Sequence, residues 1–97
     1  MIFEWDDQKA RRNAAKHDVA FELACRVWDD PKHLLLPDRI VDGEERWHAI
    51  GMVGGIAILV VVHAYPDDAN ETRIRLISAR KATAHERHRY ETEAFDR

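Results

Sequence analysis

The chain has 97 residues, of which 45% are hydrophobic and 34% charged, and this length excludes a large multidomain enzyme. Three Trp, four Gly and three Pro are typical of a folded globular chain rather than a disordered or collagen-like one. Fifteen basic and 18 acidic residues give a net charge of −3, so binding of nucleic acid would need a local basic surface. We therefore expect a single domain over residues 1–97.

The cysteine content and the hydropathy pattern indicate the cellular compartment of the protein. Cys25 has no second cysteine to pair with, and the acidic start of the chain is unlike a secretory signal peptide. The longest uninterrupted apolar run, residues 56–62, has seven residues, whereas a membrane-spanning helix needs about 20. These features predict a cytoplasmic protein without a membrane span.

A short strand and two helices are predicted before the first proline. Residues 2–5 form an apolar start, and Asp6 can cap a helix that runs to about His17. Apolar residues then recur at i, i+3, i+4 and i+7 from Phe21 to Trp28, which predicts a second helix. Asp30-Pro31 ends it, because the residue before a proline disfavours the helical conformation.

Four strands and a final helix are predicted after that proline. The strands cover residues 33–41, 46–53, 56–65 and 72–79. Asp42-Gly43 and Gly54-Gly55 predict two-residue hairpin turns, and residues 66–70 predict a looser one.

The last helix opens with a capping-box pattern, Thr83 and Glu86, and runs to about Phe95. Two i,i+4 ion pairs support it, Arg87 with Glu91 and Arg89 with Glu93. The element order β-α-α-β-β-β-β-α predicts an α+β fold, in which an antiparallel sheet of about four strands is backed by the two N-terminal helices and carries a C-terminal helix.

The predicted turns also suggest which side chains share a face of the sheet. A two-residue Gly54-Gly55 loop pairs Val53 with Ile56, which predicts one purely apolar face and places Arg46, His48 and His63 on the other. In the last strand Ile74 and Leu76 alternate with Arg73 and Arg75. With a one-residue offset or a bulge in the hairpin at residues 66–71, both arginines join Arg46 and His63, and the open face becomes cationic. Ile77 and Ala79 break the alternation, which predicts either a bulge before Arg80 or a strand end covered on both faces.

Basic residues are concentrated near the C-terminus. Residues 1–71 carry eight Lys or Arg against 14 Asp or Glu, whereas residues 72–97 carry seven against four. Such a charge run fits two interpretations, a solvated strand edge with a salt-bridged helix or a phosphate-binding cleft. The cleft would suit RNA cleavage through the substrate's own 2′-hydroxyl, which needs a base, an acid and cations around the phosphorus.

Several single residues that could act in catalysis can also be explained by a purely structural role. His63 can be a hydrogen-bonded core histidine, His17 can interact with a helix dipole, and Tyr90 can pack under the sheet. His85 and His88 have a helical spacing, but neither a Cys pair nor clustered carboxylates complete a site, so no metal or other cofactor is predicted.

Spaced motifs along most of the chain resemble one toxin family, BrnT. They are Phe3-Glu4-Trp5-Asp6, Lys9, Asn13, Lys16-His17, Phe21-Glu22-Leu23-Ala24, Asp29-Asp30-Pro31, Glu44-Glu45-Arg46, Ile50-Gly51, Val60-Val61-Val62-His63, Ile77-Ser78-Ala79-Arg80-Lys81-Ala82, Glu86-Arg87 and Tyr90-Glu91. The resemblance implies a RelE-like ribonuclease of a type II toxin–antitoxin system, acting on RNA and neutralised in a hetero-oligomer by a BrnA-like antitoxin. Operator DNA would be bound only through that antitoxin.

The resemblance also implies site residues. The catalytic candidates are His17, Arg46, His63, Arg80, Lys81, Arg87 and Tyr90, and the RNA-binding candidates are Lys16, Arg73, Arg75 and Arg89. Within this set, Arg80 and Arg46 are expected to stabilise the phosphate in the transition state. His63 or His17 is expected to move protons, and Tyr90 to position a base or hydroxyl.

The family commonly has glycine after Lys-His, where this chain has Asp18. Two other functions stay open. One is a weakly active or inactive homologue that serves mainly as an antitoxin-binding corepressor, and the other is a toxin that acts on a protein target such as DNA gyrase.

Overall fold

The computed structural model describes residues 1–67 and 71–95, so the predicted turn at 66–70 lies partly outside the described residues. The strands are β1 (Ile2–Glu4), β2 (Leu34–Val41), β3 (Glu44–Val53), β4 (Ala57–Ala64) and β5 (Arg73–Lys81). The helices are α1 (Asp7–His17), α2 (Phe21–Ala24) and α3 (Ala84–Phe95), and a 3-10 turn (Cys25–Asp29) continues α2. The predicted α+β element order is confirmed.

The described strands form one sheet in the order β1-β5-β4-β3-β2. It has five strands rather than about four, because the short β1 adds to the edge of β5 in parallel orientation, whereas the other neighbours are antiparallel. No helix in the described part of the chain is long and apolar enough to span a membrane.

Local signals set the helix ends as predicted. The Asp6 carboxylate accepts a hydrogen bond from the Lys9 amide at 3.0 Å and begins α1. Asp18 ends α1 in the left-handed conformation, at φ 57°, and its N–H donates to the Ala14 carbonyl. Aspartate tolerates this conformation better than most residues, so Asp18 can close the helix without a glycine.

The core consists of two apolar layers, one on each face of the sheet. The first lies under α1, α2 and the 3-10 turn, and includes Phe21, Trp28, Leu59, Val61 and Ile74. The second lies under α3, where Tyr90 and Ala94 pack on Leu34, Ile50, Ile58 and Val60. The expectation of a single apolar face was therefore wrong, since α3 buries part of the other face as well.

The β3–β4 register differs from the prediction by one residue. Asp42 and Gly43 do form a two-residue turn, with positive φ at both positions and Val41 paired with Glu44. At Gly54-Gly55, however, the loop has three residues, because Val53 pairs with Ala57 and leaves Ile56 91% exposed. A shift of one residue moves every β4 side chain to the opposite face, so His63 lies across from Trp47 and not beside Arg46.

A bulge in β5 is confirmed, and it lies at Ile77. Val62 pairs with Ser78 and His63 with Leu76, so Ile77 is the extra residue. The bulge lets Ile74 and Leu76 face the first core layer while Arg75, opposite Ala64, faces the other side. The partner of His63 is thus a leucine, and the expected arginine opposite it was wrong.

Candidate functional site

The face of the sheet that carries α3 is only partly covered by that helix. Its polar side chains come from β2 (Asp38), β3 (Glu44, Arg46, His48) and β5 (Arg75, Ser78, Arg80), and we call this region the open face. Strand alternation places these β3 residues on the side of Ile50, and the pairing rows bring Ser78 and Arg80 level with His48 and Ile50 through β4.

Two arginines of the open face share one carboxylate. Arg75 Nη2 donates to Glu44 Oε1, and Arg46 Nε lies 3.7 Å from the same oxygen. Arg46 Nε is buried and makes no hydrogen bond to any described residue. The group therefore keeps an excess positive charge, and the buried Arg46 Nε has no hydrogen-bond partner among the described residues.

Arg80 is held by the first turn of α3. Its Nη1 and Nη2 donate to Glu86 Oε1 and Oε2 at 2.7 and 3.0 Å. Glu86 also completes the predicted capping box with Thr83, through hydrogen bonds of 2.9 and 3.2 Å. The hydrogen bond from Arg80 lowers the pKa of Glu86 to about 2, so the carboxylate stays charged and fixes the guanidinium.

His48 and Asp38 form a third group, and neither is among the site residues predicted from the sequence. His48 Nε2 lies 3.3 Å from Asp38 Oδ2, and Asp38 is near enough to Arg80 to contribute to the raised pKa of that guanidinium, whose main cause is the hydrogen bond to Glu86. The position of His48, two residues after Arg46 on one strand, is the signal that could have singled it out. Asp38 lies at an irregularity of β2 between Pro37 and Ile40, and Pro37 is the sequence signal for it, because prolines within strands occur at sheet edges and bulges.

His63 is not on the open face, and the expectation that it points there was wrong. Its side chain is 0% exposed and packs edge-on to Trp28, with ring centroids 4.9 Å apart. Nδ1 donates to the Val61 carbonyl, so Nε2 accepts from the Tyr65 hydroxyl at 3.3 Å. Burial lowers the pKa of His63 to about 4. His63 is therefore placed as a hydrogen-bonded core histidine, which is the structural alternative that the sequence left open for it.

Tyr90 is also a packing residue. Only 6% of it is exposed, which leaves no ring face for a nucleobase, and its hydroxyl donates to Asp30 Oδ2 at 2.5 Å. The Met52 amide donates to the same oxygen. Desolvation raises the pKa of Asp30, but these hydrogen bonds outweigh it and lower the pKa overall. Tyr90 thus fixes α3, and with it Glu86, against the rest of the fold.

The other C-terminal cations lie around the open face. Arg73 pairs with Glu4 of β1 at 2.5 Å, and Arg89 pairs with Glu93 at 3.1 Å, which confirms that predicted helix pair. Arg87 Nη1 donates to the Ala82 carbonyl at 3.2 Å, and Lys81 is exposed at the end of β5. The predicted charge run is therefore largely salt-bridged within the described residues.

Lys16 and His17 belong to a different cluster, at the end of α1. With Lys9 and Arg12 they line a cleft of about 230 Å³ that also touches Ile77 and Ser78 of the β5 bulge. We call these four side chains the α1 surface. None of its three permanent cations makes an ion pair with a described carboxylate. Ser78 borders both this cleft and the open face.

Asn13 holds α1 in that position. Its side-chain amide donates to the carbonyls of Val19 and Ala79 and accepts from the Ala79 amide, at 2.8–3.1 Å. Because β1 pairs with β5 at residues 73–75, the edge of β5 at Ala79 has no neighbouring strand, and Asn13 makes the hydrogen bonds that such a strand would make.

Comparison with known proteins identifies the family. Residues 5–86 match the family model described as the ribonuclease toxin, BrnT, of type II toxin–antitoxin systems. The chain belongs to the BrnT family. A 1.1 Å crystal structure of the Brucella abortus ribonuclease toxin, BrnT, is similar to it, with a TM-score of 0.61, 25% identity, and coverage of 86% of this chain and 99% of that one. No curated protein matches.

Membership confirms the resemblance inferred from the spaced motifs. This BrnT-family chain is a ribonuclease toxin of a type II toxin–antitoxin system, which implies an antitoxin partner. Of the candidate residues, the structure places Arg46, Arg75 and Arg80 on one face of the sheet, with Arg46 and Arg75 at Glu44 and Arg80 at Glu86. It places Lys16 and His17 beside the β5 bulge and buries His63 and Tyr90.

Proposed function

We propose that this BrnT-family chain is a metal-independent endoribonuclease that inhibits translation and binds its RNA on the open face. The observation that carries the proposal is the placement of Arg46, Arg75 and Arg80, from two strands separated by β4, on the same face of the sheet, where Glu44 holds the first two and Glu86 of α3 holds the third. Arginine is the side chain best suited to phosphate, because its planar donors match two phosphate oxygens at once.

The ion pairs on the open face are compatible with phosphate binding. Glu86 occupies two of the five N–H groups of Arg80, which leaves donors free, and Arg46 Nε is unsatisfied. The carboxylates hold the guanidiniums in place before the substrate arrives, so little reorganisation is needed when charge builds up at phosphorus. Permanent cations then supply the charge stabilisation that a metal ion gives in other nucleases.

The remaining candidates take supporting roles in this proposal. Lys81, Arg87, Arg73 and Arg89 contact flanking RNA around the open face, and Lys16 and His17 bind phosphates on the α1 surface. Tyr90 acts indirectly, since it anchors the helix whose Glu86 orients Arg80.

We assign the neutralising partner to a BrnA-like antitoxin that covers the open face in a hetero-oligomer in the cytoplasm. An acidic or helical segment of that antitoxin can compete with RNA phosphates for the same guanidiniums. Operator DNA is bound through the antitoxin, as the family resemblance implies.

The test is cleavage of purified RNA in the presence of EDTA. The wild-type protein is expected to release products with cyclic or terminal 2′/3′-phosphates, and Arg80→Gln and Arg46→Gln each to lower the rate by about 10²–10³-fold. Arg11→Gln, on the exposed side of α1, serves as the matched control. Loss of cleavage with EDTA, or full activity of both variants, would contradict the proposal. Intact RNA together with growth arrest would instead favour a protein target.

A further inference from the structure

Cleavage on the open face needs a group that accepts the proton of the 2′-hydroxyl, and His63 is buried on the opposite face. His17 lies on the α1 surface, His33 packs near Trp28, and His85 and His88 are exposed on α3. Among the described residues, His48 is the histidine that the sheet itself presents on the open face, in line with Arg46.

His48 has the surroundings of a general base. Its side chain is 23% exposed, so it is reachable yet restrained, and its Nε2 faces Asp38 Oδ2 at 3.3 Å. A carboxylate at Nε2 favours the tautomer with hydrogen on that nitrogen, leaves Nδ1 as the proton acceptor, and stabilises the imidazolium that forms. Nδ1 makes no hydrogen bond to a described residue.

We propose that His48 is the general base of RNA cleavage and that Asp38 is its positioning residue. The inference rests on the proposed function and deepens it. The 2′-hydroxyl gives its proton to His48 Nδ1 while its oxygen forms a bond to the adjacent phosphorus. The bond from phosphorus to the 5′ oxygen breaks, and that oxygen takes a proton from water. The products are a 2′,3′-cyclic phosphate and a 5′-hydroxyl, and His48 returns its proton to solvent.

The charges around His48 come from several elements. Asp38 faces it from β2, Arg46 lies on its own strand, and His63 interacts with it electrostatically from across the sheet. Arg80 and Glu86 lie beyond Asp38. Among the described residues, Asp38 is the carboxylate within ion-pair distance of His48, so its removal should affect the position of that imidazole most directly.

The experiment measures the rate of cleavage and the affinity for a 2′-O-methyl RNA in His48→Gln and Asp38→Asn. We expect His48→Gln to lower the rate about 10²–10⁴-fold with unchanged affinity for this RNA, and added imidazole to restore part of the rate. Asp38→Asn should lower the rate at unchanged affinity, because the carboxylate that orients His48 is lost, and Asp38→Glu should restore part of that rate. This rescue decides the matter even if His48→Gln does not fold. His88→Gln, on the exposed side of α3, is the matched control.

Two outcomes would overturn the inference, and they differ. If His48→Gln cleaves at the wild-type rate while Arg46→Gln is impaired, His48 is not the general base, but the proposed ribonuclease site on the open face is still supported. If the wild-type protein cleaves no RNA, both the proposed function and the role of His48 are wrong. An Asp38→Asn variant that cleaves at the wild-type rate would remove Asp38 from its positioning role.

Discussion

Replacing Asn13 by alanine tests how α1 is held against the edge of β5. The side chain is 6% exposed and makes three hydrogen bonds, two to Ala79 and one to Val19. The substitution leaves one buried N–H and two buried carbonyls without these partners. At about 1 kcal/mol for each bond, the free energy of unfolding should fall by about 3 kcal/mol. For a domain of this size that corresponds to a drop in Tm of roughly 12–24 °C.

Urea unfolding followed by tryptophan fluorescence measures this loss directly. Trp5 and Trp28 lie in the layer that α1 covers, so their emission reports its separation from the sheet. Arg11→Ala on the exposed side of the same helix controls for changes in helix propensity and should stay within about 0.5 kcal/mol of wild type. A loss below about 1 kcal/mol for Asn13→Ala would refute the reasoning, since the three bonds would then be replaced by water at no cost.

Three further outcomes follow from the same contacts. Tyr90→Phe removes the hydrogen bond from the tyrosine hydroxyl to the Asp30 carboxylate, so the free energy of unfolding should fall by about 1.5–3 kcal/mol in urea. An unchanged urea concentration at the midpoint of unfolding would argue against the anchoring of α3 by this bond. His63 is neutral when folded, with its pKa lowered to about 4, so stability should decline by about 3 kcal/mol as pH falls from 6.5 to 4. His63→Gln should flatten that decline in pH-dependent unfolding, and a slope equal to wild type would contradict the assignment. Replacing Lys9, Arg12 and Lys16 by Gln should reduce the slope of log affinity for a 2′-O-methyl RNA against log salt by roughly 2. An equal slope in fluorescence anisotropy would exclude the α1 surface from RNA binding.

Short-range signals in the sequence predicted the elements well. The Asp6 cap, the Asp42-Gly43 turn and the Thr83/Glu86 capping box each depend on residues within four positions of one another, and each has the expected hydrogen bonds or dihedral angles. Such signals are physical consequences of local backbone geometry, so a single sequence contains them.

The register of the sheet could not be predicted from local sequence signals. Two glycines predict a tight loop, but they fit a two-residue or a three-residue connection equally well. The choice is made by tertiary packing, because α3 buries Ile58 and Val60 while α2 and the 3-10 turn bury Leu59 and Val61. The strand is apolar on both faces, so its own pattern could not reveal which face His63 occupies.

The charge balance of the site was equally hidden. Counting along residues 73–89 shows Glu86 as the single acidic residue among the arginines, yet Glu44 pairs with Arg75 from β3 and Asp38 acts on Arg80 from β2. Two of the carboxylates that act on these arginines are therefore distant from them in sequence. Only the assembled sheet brings these groups together.

The most direct test of the central claim is to map where RNA binds. An NMR titration of the ¹⁵N-labelled protein with a 2′-O-methyl RNA reports both backbone amides and arginine Nε groups. The largest shifts are expected at Arg46 Nε, Arg80 Nε and the amides around His48 and Ser78. Shifts restricted to α2 and the 3-10 turn, with these signals unmoved, would contradict that claim.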